Sequence, residues 1–399
     1  MSRAKARREM DQRLLISTMR WFSRGLLALA WFAIVAWIVG RLVSDRFFWS
    51  QFVLWMPSWI IVPGSAACLA LSAGLAKLGF PRYVAADKRD SSWRDARPGM
   101  RSSRWRRVAW WTCGVVTLGM VLGEWRMTNA LTRTKVETST RLIVWNPSEM
   151  RLMDEMIQKL SDTAPDIALI ANPPIHRSLA PVAQSMGSDG APAHAVIYGR
   201  LAVISKFPVM RWAGTELGVT GAKVRRFTWD GGGLLSIDKG VALLVQLDTT
   251  SALGRPTTVW LVDLPSDPDI PRDRMMREAR RTLDTMTNYL MRDASGRDVA
   301  DNWADVASNP LRTPDIIAGD MNTPRGSHSL NTLNARAEGL LVGAYEQAGY
   351  GPDLTYPRRV PLLAIDHTFL APWLGASLYE THDMGLGTHR LQEVEIFAR

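Results

Sequence analysis

The sequence is poor in cysteine. Its 399 residues include two, Cys68 and Cys113, each inside a long apolar run. They read as small buried hydrophobes, which excludes a disulfide framework or a zinc site built on thiolates. Internal repeats and low-complexity tracts are also missing. Positive charge is scarce where it would matter for nucleic acid. The chain is net +10, yet residues 1–124 hold 19 Lys/Arg against 7 Asp/Glu, and residues 125–399 hold 29 against 31. Phosphate neutralisation dominates nucleic-acid affinity, so the C-terminal part lacks that footprint as a whole.

What is present first is apolar sequence. "FVLWMPSWIIVPGSAACLALSAGLA", Phe52 to Ala76, runs 25 residues without a charge, and a helix of roughly 20 apolar residues crosses the hydrocarbon of a bilayer. Trp21 to Gly40 and Val108 to Gly123 give two more runs, so three transmembrane helices are expected at about 21–43, 52–76 and 108–124. A cleaved signal peptide does not suit the first, which is too long and is followed by two others. Basic residues crowd the first 20 positions, and the Lys77–Arg107 connector carries ten basic and three acidic residues. Positive segments stay cytoplasmic. The N-terminus and the connector are therefore expected inside, and everything beyond Trp125 outside.

From Thr138 the pattern changes. Short Val/Ile/Leu-rich runs bounded by Gly, Pro, Asn or Asp predict strands at 141–146, 166–171, 193–199, 201–206, 241–248, 257–264, 314–320, 364–370 and 391–398. Met276, Ala279, Leu283, Met286 and Leu290 recur at helical spacing after Pro271, predicting a helix over 271–291. Leu152, Met156 and Leu160 predict another over 148–160, with Ser148 as its cap. Many strands with few helices between them imply an α/β (α+β) sandwich of sheet on sheet with helices outside. The expected organisation is a membrane region at 1–124, a linker at 125–137 and a globular domain at 138–399.

Polar residues punctuate the ends of these strands. Asn146 closes the first, Asp263 comes late in "VWLVDLPSDP", Asp320 and Asn322 follow "IIAG", Asp366 and His367 interrupt "LLAIDHTFL", and His389 lies in "GLGTHRLQ". Singly, each has a plain explanation as a turn former or a satisfied buried group. As an ordered set, with "IIAGDMNTP" the most specific piece, they resemble the endonuclease/exonuclease/phosphatase superfamily over roughly residues 138–399. The resemblance implies a four-layer sandwich of two mixed sheets flanked by helices, and divalent-metal-dependent cleavage of phosphoester bonds. It implies that Asp320 and His389 position and activate water, that Asp366 orients the imidazole, that Asn322 donates to a phosphate oxygen, and that Asn146 sits on the metal and phosphate side.

The sequence departs from that family's pattern at three places. Asn172 stands where the main metal-ligand Glu is expected, Asp263 where a phosphate-contacting His is expected, and Thr388 where an Asp precedes the last His. Mg²⁺ or Mn²⁺ prefers oxygen ligands, usually carboxylates. Asp263 is therefore expected to return a carboxylate to a set completed by Asn146, Asn172 and Asp320. The sequence expectation is a phosphoesterase anchored in a bacterial inner membrane with its C-terminal domain outside the cytoplasm, acting on a phosphomonoester or phosphodiester, with a lipid head group favoured over nucleic acid. Two alternatives stand beside it. One is a decayed member serving as a binding domain. The other is an extracytoplasmic nuclease, which requires Lys223–Arg226 and Arg358–Arg359 to line the cleft.

Overall fold

The computed structural model describes residues 3–78, 98–132, 136, 138–148, 153–173, 179–187, 191–229, 232–285, 292–293, 310–336 and 339–399. The stretches expected to form substrate loops, Ile175–Pro192 and Asp293–Arg312, lie partly outside them, as do part of the 125–137 linker and Met286 and Leu290 of the 271–291 helix. The chain divides into two units. One comprises Met1–Val43 with Met56–Glu124, the other Ser44–Trp55 with Trp125–Arg399.

The first four helices are α1 (Arg3–Val43), α2 (Phe48–Leu54), α3 (Ser58–Leu78) and α4 (Pro98–Gly119), the last continued by one π turn over Met120–Glu124. Helices α1, α3 and α4 make the first unit. Buried Ala30 and Ala109 leave room for close backbone approach, the Ser23 hydroxyl donates to the Ser72 carbonyl at 2.8 Å, and Arg41 pairs with Glu124 at 3.3 Å. Among the described residues two helices are long and apolar enough to cross a bilayer, Leu14–Val43 and Ser58–Leu78. This corrects the expectation of three. Helix α4 forms, but its first half carries Arg101, Arg104, Arg106 and Arg107, and the apolar remainder falls short of the roughly 20 residues a span needs. The second span is also shifted. Helix α2 ends at Leu54, and a new helix starts at Ser58, so Phe52–Trp55 leave the span and join the other unit.

Among the described residues the second unit has seventeen strands. They begin with β1 (Thr140–Trp145), β2 (Ile167–Ala171), β3 (His194–Tyr198), β4 (Leu201–Ser205), β5 (Val209–Glu216) and the hairpin β6 (Val224–Trp229) and β7 (Gly232–Ile237). Then follow β8 (Val241–Leu247), β9 (Thr257–Asp263), β10 (Arg292–Asp293), β11 (Ile316–Asp320), β12 (Ala335–Arg336), β13 (Gly339–Leu340) and β14 (Val342–Gly343). The last are β15 (Asp366–Leu370), β16 (Leu374–His382) and β17 (Leu391–Ala398). One sheet runs β16-β17-β1-β2-β4-β3 and the other β10-β5-β8-β9-β11-β15-β14. Both are mixed, with β1–β2 and β9–β11 parallel and the remaining pairs antiparallel.

Alternation of side chains explains the layering. Leu142 and Val144 of β1 face a core shared with Leu243, Val259, Ile316 and Ala318 of the opposite sheet. Ile143 and Trp145 of the same strand point outward, onto Met156 and Leu160 of α5 (Met153–Thr163) and Val182 of α6 (Ala180–Met186). On the far side, Trp260 and Ile317 meet Met275, Met276, Ala279 and Leu283. Those four belong to α8 (Arg272–Thr285), which follows the short α7 (Thr250–Leu253); α9 (Leu330–Asn334) and α10 (Ala344–Ala348) complete the helices. The result is two sheets between helices, as the strand count implied. Each of the nine strand segments read from the sequence is a strand here. Ser148 does not cap a helix: at φ +52 its backbone N–H and hydroxyl both donate to the Asn146 side-chain oxygen.

Gly319 marks where the sheet is tightest. Its φ is +131, and a Cβ there would meet the Val262 carbonyl oxygen at 2.0 Å, so the glycine of "IIAGD" lets β11 lie against β9 at the level of the site. A Gly319→Ala chain should lose about 2 kcal/mol or more of stability. Thermal unfolding of the whole protein followed by tryptophan fluorescence measures this, and an unchanged midpoint would show that the close approach is not required.

Candidate active site

Register places the acids before any side-chain geometry is considered. β9 and β11 run parallel with Asp263 beside Asp320, and β11 and β15 run antiparallel with Asp320 beside Asp366. Three carboxylates therefore stand in one row on neighbouring strands, roughly 4.8 Å apart in backbone spacing, and each residue is 3% exposed. The opposite sheet delivers Asn146 after β1, Asn172 after β2 and His389 before β17.

His389 is held upright by Asp366, with Nδ1 at 2.9 Å from the carboxylate, and its Nε2 lies 3.7 Å from Asp320. The Tyr356 ring lies 4.8 Å from the imidazole. Asp366 is fixed in turn: the Gln392 amide donates to its backbone carbonyl at 2.6 Å, and Gln392 accepts from Thr368. Burial works against the His389 charge, but Asp366 and then Asp320 outweigh it and hold its pKa at about 9. For Asp320, burial and the neighbouring Asp366 push the pKa up to about 8 despite the attraction of His389. Burial and Asp366 thus favour the protonated form of Asp320, while Asp366 favours the charged form of His389. His367, adjacent in sequence, is buried and bonded to the Thr323 carbonyl at 2.7 Å; it supports the loop and does not face the site.

The other side of the row is a chain of amides ending in a cation. Asn172, at φ +51, donates to Asn146 and to Asp263, both at 3.1 Å. Asn146 donates to Asp320 at 2.8 Å, an orientation fixed by the Ser148 backbone N–H on its oxygen. Arg200, from the turn between β3 and β4, puts Nε 2.6 Å from Asp263 and a second nitrogen 2.7 Å from Asp238. Burial penalises that guanidinium, but Asp263 and Asp238 more than offset it and raise its pKa. Burial lifts Asp263 to about 6, against the pull of Arg200.

These contacts decide how well the residues suit a divalent ion. Asp320, Asp366 and His389 offer ligand-type atoms within 4.8 Å of one another. The oxygens expected from Asn146, Asn172 and Asp263 are otherwise employed. Asn146 accepts with its oxygen and donates to Asp320 with its nitrogen, Asn172 turns its nitrogen to the site, and Asp263 is already neutralised by a guanidinium. Magnesium demands near-octahedral oxygen coordination, and a dication beside Arg200 is repelled. The arrangement does not fit a magnesium or manganese ion held by that set.

Above the row lies a cavity of about 550 Å³. Asn146, Asn172, Asp263, Asp320, Asn322 and His389 all line it, so the structure brings together the residues singled out in the sequence, while Asp366 sits behind His389. Asn322, at φ +48, gives one amide hydrogen to the Leu264 carbonyl at 2.7 Å. Sequence reasoning missed Arg200, Asp238, Arg272 and Trp55, which also line the cavity. None of them belongs to an apolar strand end, the signal used to find the others. Among the described side chains of the two basic clusters, Lys223, Arg358 and Arg359 do not line it. Lys223 pairs with Asp269, and Arg358 with Asp383 at 2.7 Å.

No family model and no curated protein matches the chain. Solved structures with similarity include an endonuclease/exonuclease/phosphatase family protein from Bacteroides thetaiotaomicron, at 14% identity and TM-score 0.43, covering 65% of this chain and 97% of that one. A mannosyl-6-phosphatase from Bacteroides thetaiotaomicron VPI-5482 matches at 13% identity and TM-score 0.44 over 65% of this chain and 99% of that one. An endonuclease/exonuclease/phosphatase from Beutenbergia cavernae DSM 12333 matches at 15% identity and TM-score 0.38 over 66% and 72%.

The Asp366–His389 bond makes a direct prediction. Asp366→Asn should lower the His389 pKa from about 9 by more than one unit, because the strongest group raising it becomes neutral. Nitrogen-15 NMR of the six histidines reads this, and a His389 titration that does not move would remove Asp366 from its assigned role.

Proposed function

We propose that this protein is a phosphoester hydrolase in which His389, oriented by Asp366, takes the proton of an attacking water. The observation that carries the reading is the His389–Asp366 pair at 2.9 Å beside Asp320 in a polar cavity. Imidazole oriented by a carboxylate is an effective general base once deprotonated. Asp320, kept protonated by its surroundings, is placed to donate to the leaving oxygen. The guanidinium of Arg200 lies where negative charge gathers on the phosphoryl oxygens, and the amides of Asn146 and Asn172 hold the carboxylates apart. The resemblance to metal-dependent hydrolases implied Mg²⁺ or Mn²⁺; the fixed cation at Arg200 supports a reaction that runs without one. Lys223, Arg358 and Arg359 lie off the cavity, which favours a small phosphoester over a nucleic acid.

The chain's own connectivity supports a location. Ser44–Trp55 joins the two apolar helices and is at the same time part of the site-bearing unit. If both helices cross a bilayer, the site-bearing unit shares the face on which that connection emerges. The basic N-terminus and Lys77–Arg107 connector favour the cytoplasm for the other face. The site faces out of the cytoplasm in this reading.

Two outcomes test it with the whole protein and soluble phosphomono- and diesters. Turnover should rise with pH from about 7 to a maximum between about 8 and 9, because His389 gains its base form toward about 9 while Asp320 loses its donor proton above about 8. A profile that falls over that window would assign His389 another role. Chelation with EDTA should leave turnover within about twofold, while Arg200→Ala should cost on the order of 100-fold, the scale of losing one pre-organised donor to a developing charge. Loss in EDTA restored by Mg²⁺ would overturn the metal-free mechanism. No turnover of any ester would favour a binding domain.

A further inference from the structure

The cavity has a wall that the hydrolytic machinery does not explain. Trp55 lines it, although Trp55 belongs to the short connection between the two apolar helices. That connection is sewn into the site-bearing unit. Asp45 accepts from the backbone N–H and the hydroxyl of Ser329, and the Ser44 hydroxyl accepts from the His328 N–H at 2.9 Å. Gln51 donates to the Pro268 carbonyl at 2.9 Å and accepts from the Arg272 N–H. The buried face of α2 is Ser50, Gln51 and Leu54. Its other face is Phe47, Phe48, Trp49 and Phe52, exposed by 57, 47, 54 and 41%.

Three large aromatic side chains on a seven-residue helix and a fourth at its N-cap make an apolar surface that water does not favour. The chain itself limits what covers it. Phe47 follows Val43, the last residue of one apolar helix, by four positions, and Trp55 precedes Ser58, the first of the next, by three. At roughly 3.5 Å per residue, α2 lies within about 14 Å of a helix end on either side. Helix ends of that kind stand at the bilayer surface, where tryptophan and aromatic residues concentrate. The cover is the lipid interface.

The cavity behind that surface is built for an anion. Arg272 is 1% exposed and lines it, its guanidinium 4.9 Å from the centre of the Trp55 ring. Its Nε has no hydrogen-bond partner among the described residues. Another of its nitrogens donates to the Pro265 carbonyl at 3.2 Å, and an anion in the cavity would meet the donor left over. On the other lip, Tyr356 and Leu363 line the cavity, and Val360 between them is 62% exposed. An anion-binding cavity between apolar lips matches an amphiphile.

Resting on the hydrolase reading above, we propose that the substrate is a membrane lipid bearing a phosphoester in its head group, taken from the bilayer surface against which α2 lies. The head-group phosphate enters between Arg200 and Arg272 while the acyl chains stay in the membrane. Water oxygen bonds to phosphorus, the bond from phosphorus to the leaving oxygen breaks, and that oxygen takes up a proton. The products are an alcohol and a phosphate ester with one substituent fewer.

The test uses the full chain in proteoliposomes of phosphatidylcholine containing phosphatidylglycerol, cardiolipin or phosphatidic acid, with phosphorus-31 NMR reporting hydrolysis. Soluble bis(p-nitrophenyl) phosphate and p-nitrophenyl phosphate are assayed in parallel. The double variant Phe48→Ser, Trp49→Ser changes no residue that lines the cavity and should lower lipid turnover at least tenfold with soluble-ester turnover within twofold. A spin label at Trp49→Cys, with Cys68 and Cys113 replaced by Ala, should be relaxed more by oxygen than by an aqueous nickel chelate. Equal loss on both substrates, undiminished lipid turnover, or a label in bulk water overturns the proposal. Wild-type turnover of soluble esters but of no lipid overturns it and spares the hydrolase reading, whereas turnover of neither overturns both.

Discussion

Three aspartates buried side by side are the constraint that the rest of the site satisfies. Sheet register alone brings Asp263, Asp320 and Asp366 into one row, and carboxylates so placed cannot all stay ionised without partners. The structure answers at each end and in the middle. Arg200 neutralises one end, His389 the other, and Asp320 between them keeps a proton and receives the Asn146 amide. Removing any one of these shifts the load onto the others. The site is a balanced unit, and its members act through one another.

The same balance separates what the sequence revealed from what it hid. Asn146, Asp263, Asp320 and His389 announce themselves because each interrupts or ends an apolar run, and Gly319 beside Asp320 adds a backbone signature. Arg200 sits in a turn with no local pattern, and its partners lie 38 and 63 positions away at Asp238 and Asp263. Trp55 was concealed by its own hydrophobicity, since it continues a run that reads as membrane span. Strands β5 and β16 were missed for a related reason. They lie at or next to sheet edges and carry Arg211, Glu216, Glu380 and His382 on faces that water reaches, so their apolar signal is diluted. Long-range charge pairing and half-exposed strands leave little trace in any short window.

In the proposed reaction a guanidinium would serve in place of a metal, and that alters more than the charge. A bound ion exchanges with the medium and orders its own water, whereas Arg200 is tied to the fold through Asp238 and Asp263. Its donors are planar and fixed, which suits two phosphoryl oxygens at once. The chemistry then falls more heavily on His389 and Asp320, whose shared protons set the pH at which the site becomes competent.

The stitching of Ser44–Trp55 into the site-bearing unit also bears on how the protein is made. The segment is synthesised long before Ser329, Pro268 and Arg272, its partners in the fold. It must wait in place while more than two hundred residues emerge. In a chain whose apolar helices cross a bilayer, it meets them only if every later crossing leaves them on its own side. A molecule threaded wrongly has its tryptophan on one face and its arginine on the other. In such a chain, assembly of the cavity would depend on correct insertion of both helices.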